Sequence, residues 1–153
     1  MKRLTLASTL FALALGSMPS VATSQNDTTR APKTGEQVYQ QACVACHATG
    51  VASAPKLGDK TAWAPLIEEG QHILTAHAWV GVRAMPAQGG APDLSIEEFA
   101  DAVAWMASAS GGDWKTPDAD MMKRIRHEAA ERLEKEIKEK KALRKKLEHD
   151  RDS

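Results

Sequence analysis

Residues 43–50 read Cys43-Val44-Ala45-Cys46-His47-Ala48-Thr49-Gly50 and hold both cysteines of the 153-residue chain. Two cysteines three apart, with a histidine directly after, open three different chemistries: a redox-active dithiol, half of a zinc clamp and a haem attachment site. Each makes a demand on the rest of the chain. A C-x-x-C dithiol belongs at a strand-to-helix junction, and no stretch here alternates apolar and polar residues convincingly enough to be a strand. A closed structural zinc site takes four ligands; no second cysteine pair follows, and His72 or His77 would complete a set only by coincidence. A disulfide between Cys43 and Cys46 would close a very short loop and stabilise little. Haem attachment accounts for more. Cysteines at i and i+3 lie on one side of a helical turn, where both sulfurs reach the vinyl groups of one porphyrin, and His47 is then held under the iron as an axial ligand.

A His-ligated haem that transfers electrons takes a second axial ligand, often methionine. Met85 stands in Ala84-Met85-Pro86-Ala87-Gln88-Gly89-Gly90. Pro86 disfavours helical geometry at Met85, so the side chain is expected to project from an extended loop, and Gly89-Gly90 let the chain turn close to a porphyrin. Met106 has the spacing of a core residue on a capped helix, Met121 and Met122 lie beyond the domain, and His77, the main competitor, falls on an apolar helix face where a packed core histidine is expected.

The first residues name a compartment. Lys2 and Arg3 precede an apolar run over 4–15, and Ser20-Val21-Ala22 offers the small residues of a cleavage site, the pattern of a secretory signal peptide. The run is too short to span a bilayer, which takes roughly 20 residues. The expected product begins near Thr23 in a periplasm or equivalent space. About 130 residues then remain, enough for one small domain and an appendage.

A net charge of zero hides an asymmetry: residues 36–117 carry nine acids against four bases, whereas residues 118–153 carry twelve bases against ten acids. The total therefore says nothing useful about partners. Large apolar side chains are sparse over 36–117, and so short a domain usually recruits a metal, disulfide or cofactor into its core.

The expected organisation is a signal peptide over 1–22, a flexible lead-in over 23–33, a monohaem domain over 34–112, a linker over 113–117 and a charged helical tail over 118–153. Within the domain, Thr34 and Gln37 form a capping box that opens a helix carrying Val38, Tyr39 and Ala42 into the cysteine motif. Shorter helices are expected over 61–69, with Pro65 near the start, and over 71–80. Ser95 with Glu98 makes a second capping box, and Leu94 with Phe99 a hydrophobic staple, for a helix that Gly111-Gly112 stops. The fold class is all-α. In the tail, Met122, Ile125, Ala129, Leu133, Ile137, Leu143 and Leu147 share about a third of the helix circumference. Lys140 interrupts that stripe, which argues against a long regular coiled coil, and Glu128 with Arg132, Glu131 with Lys135, Glu134 with Lys138 and Glu136 with Lys140 offer i,i+4 pairs.

Residues 34–110 resemble a class I c-type cytochrome, most of all the bacterial cytochrome c5 group, through Gly35-Glu36 with Tyr39, CVACHATGVASAPKLGD over 43–59, TAWAP over 61–65 and AMPAQGGAPDLS over 84–95. The resemblance implies a cytochrome c fold around one covalently attached haem c, with Cys43 and Cys46 carrying it and His47 and Met85 ligating its iron. It also implies that the Pro55 carbonyl accepts a hydrogen bond from the other nitrogen of His47, a contact that fixes ring and tautomer, and that Tyr39 meets Trp105 at a helix crossing. Trp63 is expected to pack on the haem or to reach a propionate with its indole N–H, or else to be an ordinary core tryptophan. The chain departs from the group at Gln88, where a lysine is common, and at Trp79 and Arg83; the tail has no counterpart.

The function expected is that of a periplasmic electron-transfer protein rather than an enzyme, exchanging single electrons with periplasmic or membrane redox proteins and not with nucleic acid. The alternatives are a haem-based sensor or enzyme with a labile sixth ligand, and a tethered haem subunit whose C-terminal helix mediates docking or self-association.

Overall fold

A computed structural model of the chain describes residues 30–151. The signal peptide expected over 1–22 and the lead-in up to residue 29 lie outside the described residues.

Thr34 opens the first helix as the capping box requires: its hydroxyl accepts from Gln37 N and the Gln37 side chain accepts from Thr34 N. The helix runs unbroken through three segments, Gly35–Val38, a π-helical stretch Tyr39–Cys43, and Val44–His47. Its start crosses the Ile96–Ala109 helix, and the crossing explains Gly35. A Cβ there would stand 2.4 Å from the Asp101 carbonyl oxygen and 2.9 Å from Trp105 Cβ, so only glycine lets the backbones approach this closely. Gly35 N also donates to Asp101 Oδ2 at 2.9 Å, while the rings of Tyr39 and Trp105 sit 5.1 Å apart.

Ser95 caps the Ile96–Ala109 helix with Glu98 in return. The buried Glu98 does more than its capping box predicts, because Oε1 also accepts from Lys33 N at 2.9 Å. The helix buries Phe99, Val103 and Met106. Leu94 and Phe99 share one apolar cluster with Val38, Ala78, Ala102 and Val103. A second cluster joins Tyr39, Cys43, Trp63, Met106 and Ala107.

Two helices complete the frame, Lys60–Glu68 and Gln71–Val80. The first begins one residue earlier than expected because Asp59 is its cap, accepting from Thr61 N and Ala62 N, and Pro65 consequently falls inside it rather than near its start. Among the described residues there is no strand; one isolated bridge joins Val82 and Met85.

The tail forms a 33-residue helix, Ala119–Arg151. Its first turns are part of the fold. Met122, Ile125 and Ala129 are buried; Met122 and Ile125 pack with Ile96 and Ala100, and the helix runs alongside Gln71–Val80. Arg126 pairs with Glu97, and Arg124 Nη2 donates to His72 Nδ1 at 2.9 Å. Residues 113–117 are also engaged: Trp114 lies against both core clusters, Thr116 bonds Asp101, and the Lys115 carbonyl accepts from Gln71. Leu133, Ile137, Leu143 and Leu147 are exposed. Of the pairs read from the sequence, Glu136 with Lys140 is present at 3.8 Å, but Arg132 turns to Glu136, also at 3.8 Å.

Candidate haem site

The motif turn begins where the π-helical segment ends. Val44 N–H reaches back five residues to the Tyr39 carbonyl, a widened turn of the kind found in single-turn bulges at functional sites. Nothing in the sequence pattern signals it, since π and α turns accept the same residues. Cys43 closes this segment, buried, with Sγ 4.0 Å from the Val38 carbonyl oxygen. Cys46, three residues on, is exposed, and both thiols are free. Burial, with a smaller contribution from Cys46 beside it, pushes the Cys43 thiol up to about 11.

His47 is buried at the end of the same helix. Its Nδ1 lies 2.8 Å from the Pro55 carbonyl oxygen. A carbonyl can only accept, so Nδ1 carries the proton and donates it, and the lone pair is left on Nε2. The loop that provides this carbonyl is itself tied down: Leu57 N donates to the His47 carbonyl at 2.8 Å, and Trp63 Nε1 donates to the Lys56 carbonyl at 2.9 Å. Ala52 and Ser53 take left-handed backbone angles within it, φ +52° and +64°, a strained conformation for side chains with a Cβ.

Trp63 is a buried member of the Tyr39 cluster, and its indole N–H donates to a loop carbonyl. Its ring centre stands 6.5 Å from that of His47.

Met85 is presented by a bonded turn: Val82 N donates to Met85 O at 3.1 Å and Met85 N to Val82 O at 2.9 Å. Gly81 lets the following chain close on it, since a Cβ there would meet Ala87 N at 2.9 Å. The Met85 side chain packs on the cluster that contains Val38 of the motif helix. The rival ligands are engaged elsewhere. His77 Nδ1 lies 3.4 Å from Glu69 Oε2, Met106 is buried in the Tyr39 cluster, and Met121 and Met122 pack with Ile96 and Ala100. Among the described residues no group of three or more His, Cys, Asp or Glu stands together as a metal clamp, so the zinc alternative lacks its ligands.

The donor set suits a c-type haem on its chemistry: two free thiols one turn apart, an imidazole with its second nitrogen already bonded, and a thioether packed on the motif helix's own cluster.

Comparison with known proteins gives the family. Residues 30–106 match the family model described as cytochrome c oxidase, cbb3-type, subunit III. Cytochrome c-555 of Chlorobaculum thiosulfatiphilum is 41% identical over 80 residues, spanning 50% of this chain and 93% of that protein. Cytochrome c5 of Azotobacter vinelandii is 36% identical over 77 residues, spanning 49% and 93%. A solved chain from a crystal structure of an electron transfer complex of nitrite reductase with cytochrome c is 49% identical, with a TM-score of 0.48, over 50% of this chain and 93% of that one. The chain belongs to the class I c-type cytochromes, alongside the c5 and c-555 proteins, and its cofactor is one covalently attached haem c with its iron.

Proposed function

We propose that the protein is a periplasmic electron carrier in which Cys43 and Cys46 hold the haem through thioethers while His47 and Met85 take the two axial positions. The observation that carries the reading is the hydrogen bond from His47 Nδ1 to the Pro55 carbonyl, which leaves Nε2 as a pre-oriented ligand on the turn that also bears both thiols. When bound, the haem supplies a one-electron iron couple. The chain's own residues do the rest. The Pro55 carbonyl fixes the imidazole ring and its tautomer, and the Met85 thioether favours the reduced state and so a higher potential. With both axial positions filled by side chains, no open position remains for a substrate, which suits electron transfer and opposes catalysis.

The acids over 36–117 direct the protein to basic patches on redox partners, with an on-rate that falls as salt rises. The charged n-region, apolar run and small residues over 1–22 support export. Absorption and electron paramagnetic resonance spectra of the purified protein test the reading. Low-spin iron is expected in both oxidation states, with no carbon monoxide binding to the reduced form at neutral pH. A five-coordinate, high-spin spectrum would contradict it and favour a sensor or enzyme with a labile sixth ligand.

A further inference from the structure

The tail helix changes character along its length. Up to Arg132 it is anchored, through buried Met122, Ile125 and Ala129, the Arg126–Glu97 pair and the Arg124–His72 hydrogen bond. Residues 133–151 continue beyond these anchors for about 28 Å at 1.5 Å per residue. Along this arm Leu133, Ile137, Leu143 and Leu147 are 44%, 49%, 59% and 60% exposed. Residues 138–146, Lys-Glu-Lys-Lys-Ala-Leu-Arg-Lys-Lys, hold six bases against one acid, and all six basic side chains are exposed.

We infer that this arm is an amphipathic helix that lies on anionic lipid and holds the haem domain at a membrane surface. Three features select lipid over other occupants. The first is Lys140, which sits in the apolar stripe between Ile137 and Leu143. In a packed helix–helix seam it would be buried at a cost, but at a headgroup boundary its stem covers apolar surface while the ammonium snorkels into water. The second is charge. Two copies would bring together two stretches that each carry six bases and one acid, whereas an anionic surface attracts every one of those bases. The third is the division of charge, since the acidic haem domain is repelled by the surface that draws the arm, which turns the domain outward. No helix among the described residues is long and apolar enough to cross a membrane, so the arm lies on the surface rather than spanning it. The inference does not depend on which residues ligate the iron.

Sedimentation of the full-length, haem-loaded protein with lipid vesicles tests it. Binding is expected to vesicles of phosphatidylglycerol mixed with phosphatidylcholine, not to phosphatidylcholine alone, and to be released by high salt. The triple substitution Lys141→Glu, Lys145→Glu, Lys146→Glu and the double substitution Leu143→Glu, Leu147→Glu are each expected to weaken it at least about tenfold, with the haem spectrum and far-ultraviolet circular dichroism unchanged. Absence of binding to the anionic vesicles at low salt overturns the inference, as does equal binding to both vesicle types. If only the charge reversal matters, plain attraction to any acidic surface, a protein's included, replaces lipid. A lipid-independent dimer abolished by the leucine substitutions, without vesicle binding, assigns the stripe to a second copy.

Discussion

Cys43 and Cys46 share one motif but meet different surroundings, the first buried, where its thiol is pushed up to about 11, and the second exposed. Met85→Ala is expected to convert ferric iron from low to high spin, admit carbon monoxide to the reduced form and lower the reduction potential. At this scale the attachment motif was legible because its chemistry is local, two cysteines and a histidine on one turn. The partner of the Trp63 indole was not, because the Lys56 carbonyl becomes its acceptor only once the 50–58 loop has folded back over His47.

At the scale of elements the capping boxes were readable, since Thr34 with Gln37 and Ser95 with Glu98 are contacts within four residues. Ser95→Ala is expected to cost about 1 kcal/mol, measured by chemical denaturation. The close helix crossing was readable only as a family resemblance. Its physical reason, the missing Cβ at Gly35, needs the position of Asp101, which lies far away in sequence. Gly35→Ala should therefore cost about 1–3 kcal/mol, the range for overpacking a tight contact, and lower the thermal midpoint, although alanine is the better helix former. The π-helical segment had no sequence signal, and the Asp59 cap was passed over, so the expected helix started one residue late. Asp59 carries the clearer local logic, with one carboxylate oxygen accepting two free amides at the helix start.

Across the whole molecule, the tail is where sequence and structure differ most. Its charge and Pro117 suggested an appendage beyond a linker, yet Trp114 and the first turns of the tail helix complete the domain's packing. Periodicity revealed one continuous stripe but not where the stripe stops being covered, because burial depends on the reach of the partner helices. Two substitutions separate the halves: Ile125→Ala should cost about 2–5 kcal/mol, and Ile137→Ala within about 0.5 kcal/mol of nothing, both by urea denaturation of the haem-loaded protein. Truncation after residue 112 should likewise lower the thermal midpoint, whereas truncation after Arg132 should leave it unchanged.

The proposed ligation of the haem iron by His47 and Met85 is open to proton magnetic resonance of the reduced, diamagnetic protein, in which a methionine methyl held over the porphyrin face feels the ring current. One three-proton line far upfield of the protein envelope is expected in the native protein, with its loss in Met85→Leu. A native spectrum without that line, or a line that survives the substitution, rules Met85 out as a ligand.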